Sequence, residues 1–224
     1  MIRRALLLLT ASALAAGDLT AQACSQTLSS LPPDSFGGDG IPTDRVMINS
    51  CVQGLKLGMN ATARYDNPSV TNNGAGTYAA AAGVDPNSPG GSSYGRWNFN
   101  WFIGGGSYQQ YSYILQWDVN PATGSPAFSS PLNIGPIFPA GTANSWNLGM
   151  SFIDQNGALA PNFDPNAAGE YAFNLIAYSG TFSPTEVARV SIKVVTSTVP
   201  EPSSYALLGT GLLGLVVARR RRRV

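Results

Sequence analysis

Large apolar side chains alternate with polar ones in several stretches of this chain, and a period of two is what a strand with one buried face requires. Trp97, Phe99, Trp101 and Ile103 alternate with Asn98, Asn100 and Phe102. Tyr111, Tyr113, Leu115, Trp117 and Val119 do the same against Ser112, Ile114, Gln116 and Asp118. Gly104, Gly105 and Gly106 between the two runs allow a tight reversal, so the pair predicts a β-hairpin. A proline-spotted crossing from Pro126 to Pro139 leads to a third run, Trp146, Leu148, Met150 and Phe152. Two more strands are predicted by Tyr171, Phe173, Leu175 and Ala177, and by Ala188, Val190, Ile192 and Val194 with Arg189, Ser191 and Lys193 between them.

The first half of the chain is less regular. Ser25 to Ile41, rich in Ser, Pro, Gly and Asp, reads as a loop or extended arm. Val46, Ile48, Val52, Leu55 and Leu57 predict one or two short strands, and Ala79 to Ala82 fit either a helical turn or a strand. Asn67-Pro68, Asn72-Asn73-Gly74, Asp85-Pro86-Asn87, Asn156-Gly157 and Asp164-Pro165-Asn166 are turn chemistry. No helical periodicity longer than about ten residues occurs between the two ends. The predicted fold is therefore all-β, an antiparallel β-sandwich of immunoglobulin-like or jelly-roll-like form, with an arm and first strands over 24–95 and the main sandwich over 96–198. The segment Ala168 to Phe173 is similar to the start of the penultimate strand of immunoglobulin-like domains: Tyr171 precedes a core position by two residues, and Phe173 takes the place of the cysteine.

The two ends have a different pattern. Tyr205 to Ala218 carries no charge and covers roughly 21 Å as a helix, short of the hydrocarbon core of about 30 Å. Ser203 and Ser204 lengthen it, giving a predicted transmembrane helix over 203–218, and the stems of Arg219, Arg220, Arg221, Arg222 and Arg223 can snorkel beyond it. Those five arginines hold that end on the cytoplasmic side, since basic flanks resist translocation. Pro200 and Pro202 keep Val199 and Glu201 extended, so the helix cannot propagate backwards.

Pro200-Glu201-Pro202, a transmembrane segment and a terminal arginine cluster, in that order over 199–224, resemble the PEP-CTERM sorting signal of Gram-negative bacteria. The resemblance implies a membrane peptidase of the exosortase type as partner, removal of the tail in the manner of a sortase, and association with exopolysaccharide or biofilm. It covers about the last 26 residues and implies nothing about the remainder. The other end agrees with export. Residues 1–23 read as a signal peptide: Arg3 and Arg4, an apolar core from Ala5 to Ala16, and a small-x-small cleavage site at Ala21-Gln22-Ala23. The expected location is the inner membrane, by way of the tail, and then the cell surface or extracellular matrix.

Charge and composition narrow the chemistry. Of 13 basic residues two lie in the leader and five in the tail, leaving six; of 12 acidic residues Asp18 and Glu201 fall outside, leaving ten, so the body is at −4 and has no basic patch for nucleic acid. Cys24 and Cys51 are the only cysteines, and in an exported chain they can form a disulfide contributing about 3 kcal/mol. There is no histidine, which removes the Ser-His-Asp and Cys-His nucleophile pairs and a transition-metal cage. No cofactor is expected.

Three weaker possibilities remain. Asp118, Asp154, Asp164 and Glu170 are the carboxylates from which a glycoside hydrolase pair would come. Asp34, Asp39 and Asp44, or Asn162, Asp164 and Asn166, supply calcium-type oxygens without following the EF-hand pattern. Trp97, Trp101, Tyr111, Tyr113 and Trp117 would make a sugar-stacking platform if their rings lay on a solvated face; the competing reading is a sandwich core. The expectation is a non-enzymatic exported protein, with a carbohydrate-binding module as the first alternative.

Overall fold

The computed structural model describes residues 25–198 apart from 39, 51, 53, 90–93, 107, 119, 123–127, 129–131, 135–141, 151–152, 154–162 and 181–182, together with Thr210, Leu212 and Arg219. Among the described residues eleven strands form: β1 (Thr27–Ser29), β2 (Val46–Asn49), β3 (Lys56–Ala63), β4 (Thr71–Asn72), β5 (Thr77–Ala81), β6 (Trp97–Gly104), β7 (Ser112–Trp117), β8 (Leu132–Asn133), β9 (Ala143–Trp146), β10 (Gly169–Ser179) and β11 (Thr185–Ser197). One sheet has the order β1-β2-β3-β6-β9 and the other β4-β5-β11-β10-β7-β8. Neighbouring strands are antiparallel except β5, which runs parallel to β11.

The alternating side chains explain why two sheets form. Trp97, Phe99, Trp101 and Ile103 of β6 point inward and meet Tyr171, Phe173 and Leu175 of β10 in one core. At its centre Phe99 stacks on Phe173, ring centroids 4.5 Å apart and planes 26° from parallel. Trp97 stands edge-on to Phe173 at 6.0 Å, and Trp146 stands edge-on to Phe99 at 6.2 Å. Stacked and edge-on pairs of this kind each add about 0.5–1.5 kcal/mol beyond the area they bury.

The predicted hairpin is not formed. β6 pairs with β3 and β9, whereas β7 pairs with β10 and β8 in the opposite sheet. The glycines and a 3-10 turn at Tyr108–Gln110 carry the chain across the sandwich. Gly105, at φ +98°, sits where a Cβ would strike the carbonyl of Gly54, which only glycine avoids. Alternation specifies the buried face of a strand and not its neighbour, and these two runs face one core from opposite sides.

Two other boundaries differ from expectation. The run beginning at Trp146 leaves the strand there: Asn147, fully buried, turns the chain by donating its amide to the carbonyls of Gly95 and Trp97, each at 2.8 Å. Leu148 is still buried, and Phe152 lies outside the described residues. β3, of which the sequence expectation reached only Leu57, is central in its sheet, with Leu57, Met59 and Ala61 in the core. Ala79 to Ala81 belong to the strand β5.

The outer face of β3 and β6 is covered in part, around Gly58 and Phe102. The arm lays Leu31, Phe36 and Ile41 on it, and with Val46, Ile48 and Phe102 they form a second, smaller apolar cluster. The arm also completes β11. Where β5 stops, the Gln26 side chain donates to the carbonyl of Ser191 at 2.8 Å and accepts from its amide at 2.7 Å. The Asn49 amide donates to the carbonyl of Arg189. Side-chain amides thus stand in for a missing strand on an edge that would otherwise expose its backbone groups.

Phe99→Ala and Phe173→Ala should each lower the unfolding free energy by about 3–5 kcal/mol in urea titrations. Because the two rings share one contact, the double variant should lose less than the sum of the two. Losses under 1 kcal/mol would show that this stack is not the centre of the core.

Candidate functional site

A row of polar side chains crosses the outer face of the first sheet. Asn60 and Thr62 of β3 lie opposite Asn100 and Asn98 of β6, and Asn100 lies opposite Ser145 of β9. The Asn100 amide donates to Asn60 Oδ1 at 2.7 Å and to Thr62 Oγ1 at 3.0 Å. Asn60 in turn donates to the carbonyl of Pro42 at 3.1 Å, and Asn98 donates to Ser145 Oγ at 3.1 Å. Asn100 Oδ1 is buried with no hydrogen-bond partner among the described residues. A cleft of about 450 Å³ lies over one end of this row, between the turn at Gly40 to Pro42 and the residues Thr62, Arg64, Tyr65, Asn98 and Ser145.

An ion pair shapes the rim of the cleft. Arg64 Nε lies 2.7 Å from Asp85 Oδ2, with the Asp85 side chain fully buried. Asp85 Oδ1 accepts from the Asn67 amide at 2.9 Å and from the backbone N–H of Asn87 at 3.1 Å. The guanidinium lies between two rings, 4.6 Å from the centre of Tyr65 and 4.7 Å from that of Tyr94, a geometry in which the ring faces attract the cation. Burial pushes the Asp85 carboxyl up, but the hydrogen bonds from Asn67, Asn87 and Arg64, with the Arg64 charge, outweigh it and hold the group below its ordinary value.

Tyr65 has two unusual features. It is 68% exposed, and at φ +49° it occupies the left-handed region, costly for an aromatic residue. The turn fixes it there, because the Asn67 amide and backbone N–H both donate to the carbonyl of Arg64. With the Arg64 charge matched by Asp85, the cleft offers the Asn98 amide, the Thr62 and Ser145 hydroxyls and the ring of Tyr65.

The rings weighed as a possible sugar platform do not lie together on a solvated face. Trp97, Trp101, Tyr113 and Trp117 are no more than 3% exposed and belong to the core, and Tyr111 is half-buried against it. The alternation that brought them together is what turns their rings inward, so none has a free face for a ligand. Asp118 is buried and its Oδ1 accepts from the N–H of Asn120. Asp164 accepts from the N–H of Asn166, and Glu170 pairs with Lys193 at 2.8 Å. Asp154 lies outside the described residues, as do Asp39 and Asn162 of the two calcium sets. Among the described residues no three carboxylates gather to hold a metal ion.

Cys24, Cys51, Pro200, Glu201, Pro202 and Arg220, Arg221, Arg222 and Arg223 also lie outside the described residues. Thr210, Leu212 and Arg219 are helical and exposed. No helix among the described residues is long and apolar enough to cross a membrane. Arg64, Tyr65, Asp85 and Tyr94 were missed by sequence reasoning. Their one signal was Arg64-Tyr65 just before the Asn67-Pro68 turn, and Asp85 was legible only as a turn residue.

Residues 198–223 match the PEP-CTERM protein-sorting motif. No curated protein and no solved structure matches the chain.

Removing one partner of a buried ion pair leaves the other uncompensated, so Arg64→Leu should destabilise the protein by about 3–5 kcal/mol. The depressed Asp85 value adds a pH signature. Its contribution is fully present above the unfolded carboxylate value and is lost as the pH falls through the lower folded value. The urea midpoint of the parent protein should therefore fall more steeply on acidification than that of Asp85→Asn; parallel curves would contradict the assignment.

Proposed function

We propose that this chain, a PEP-CTERM sorting-signal protein, is a non-enzymatic exported protein whose β-sandwich is delivered to the cell surface or polysaccharide matrix by an exosortase-type peptidase. The observation that carries this reading is the sorting match over 198–223. In it a proline-bounded extended motif, an uncharged run and five arginines follow one another without interruption. The leader starts export, the apolar run stops it, and the arginines remain on the cytoplasmic side. Pro200-Glu201-Pro202 is then held as an extended substrate at the outer membrane–water boundary, where the peptidase takes it.

We read the delivered domain as immunoglobulin-like rather than jelly-roll-like. The Tyr171 hydroxyl donates to the carbonyl of Ala167 at 3.2 Å, the backward hydrogen bond of a tyrosine corner. Burial, followed by the nearby Asp164 carboxylate, pushes this hydroxyl up to about 12, so it stays protonated and able to donate. Two residues on, Phe173 faces Phe99 across the sheets, where immunoglobulin domains have an inter-sheet disulfide. Trp117 stands beside Phe173 in register on the adjoining strand, as the buried tryptophan of such domains does.

A second reading concerns the ligand. The cleft, with the Asn98 amide, the Thr62 and Ser145 hydroxyls and the exposed ring of Tyr65, supports a contact with a polysaccharide, since stacking and hydrogen bonding suit a polyhydroxylated chain. On this reading carbohydrate would be recognised at Tyr65, Asn98 and Ser145, away from the tryptophans.

Two experiments test these readings. In an exosortase-bearing host, Pro202→Ala and removal of Arg219 to Arg223 should each shift the protein from the surface fraction to the inner membrane or periplasm; unchanged fractionation would refute sorting. In polysaccharide-containing native gels the mature domain should be retarded by at least one polymer and Tyr65→Ala should not. Equal mobility of both proteins in every polymer would refute the cleft.

A further inference from the structure

We propose that, while the tail is in the membrane, the end of the sandwich bearing Tyr65, Val84 and Tyr94 lies against the lipid surface, in contact with zwitterionic headgroups. The inference rests on the sorting reading and adds an orientation and a surface to it.

The first argument is length. β11 stays paired to its last residue: Ser197 lies beside Ala81 of β5, and the N–H of Ala82 donates to its carbonyl at 2.8 Å. The sorting match begins at the next residue, 198. Five residues, 198–202, lie between Ser197 and Ser203, where the apolar segment begins, and the six steps between those two reach about 21 Å at most when fully extended. Two of the five are prolines, which restrict the freedom of that stretch to fold back. The folded domain is therefore tethered within about 21 Å of the apolar segment.

The second argument identifies the end. From Ser197 the backbone contacts run to Ala82 and on to Gly83, whose carbonyl accepts from Arg96. Val84 bridges to Gly95, the N–H of Asp85 donates to the carbonyl of Tyr94, and the N–H of Arg64 donates to the carbonyl of Arg96. Tyr65, Val84 and Tyr94 thus share the end from which the tail leaves. The turn at Tyr108–Gln110 lies at the other end, beyond the eight residues of β6, about 26 Å away.

The third argument is chemistry. Few large apolar side chains are exposed among the described residues, and two of them, Tyr65 and Val84 at 39%, are here. Tyrosine favours the membrane–water boundary, where its ring meets the acyl edge and its hydroxyl meets water. Asp66 and Asp164 are exposed at this end and Arg96 is half-buried, a mixed charge that suits zwitterionic rather than anionic lipid. One consequence follows for the cleft. Tyr65 is covered in the membrane-held precursor and becomes available to a polysaccharide when the tail is cut.

The test places a tryptophan at each end of the full chain reconstituted into phosphatidylcholine vesicles. Tyr65→Trp should lose fluorescence when the lipid carries bromine on its acyl chains, and Gln109→Trp should not. The native tryptophans are at most 4% exposed and supply a constant background. Proteolytic release of the domain from the tail should abolish the quenching of Tyr65→Trp. Flotation of the vesicles reads insertion separately, and matching unfolding midpoints confirm that both variants fold. Chain that floats with the vesicles while Tyr65→Trp remains unquenched overturns the orientation and leaves sorting intact. Chain that fails to float overturns the membrane-inserted tail, and the orientation with it.

Discussion

The sandwich depends on keeping one aromatic layer dry. Phe99 and Phe173, one from each sheet, meet at the centre, and the rings of Trp97, Tyr171 and Trp146 close around them. A layer of that size needs cover on every side, and the chain supplies it with unequal means. The second sheet closes one face by antiparallel pairing along the length of β10. The first sheet has a polar outer row in which the Asn100 amide donates to Asn60 and Thr62, and beside it Leu31, Phe36 and Ile41 of the arm pack with Val46, Ile48 and Phe102. Buried amides of this kind contribute little net energy when paired and cost far more when they are not. The arm is thus part of the fold rather than an appendage, and Gln26 reaches across to finish β11.

β11 joins the fold to its destination. It is a central strand of its sheet, held by β10 on one side and by β5 and the amides of Gln26 and Asn49 on the other. Its last paired residue is adjacent to the sorting segment. On the proposed reading, a pull or cut at the tail would act on a strand paired on both sides. That arrangement suits a protein whose tail is to be cut without unravelling what precedes it.

Much of this architecture was legible in the sequence, and the failures have physical causes. The inward phase of Trp97 to Ile103, of Tyr113 to Trp117 and of Tyr171 to Val194 was correct because burial dictates alternation. The pairing of the first two runs was wrong because alternation is silent about partners, and three glycines serve an arch between sheets as well as a hairpin. Most of β3 escaped notice because Gly58, Asn60 and Thr62 dilute its Leu57, Met59 and Ala61 signal; an outer face covered in part by another segment looks unlike a solvated one. The conspicuous rings of Trp97, Trp101, Tyr113 and Trp117 were consumed by the core, while Tyr65, the most exposed ring among the described residues, is isolated in sequence and comes together with Arg64 and Tyr94 only through the fold.

The sorting segment stands apart, since its order of proline motif, apolar run and arginines is a message in sequence and needs no tertiary structure to be read. The central claim, that a folded β domain is cut from its tail by an exosortase-type peptidase, is tested most directly by the intact mass of the protein recovered from cells with and without that enzyme. With the enzyme present, the mass should lack the apolar run and the five arginines; without it, the mass should retain both. A tail retained under both conditions, or lost under both, would contradict the account.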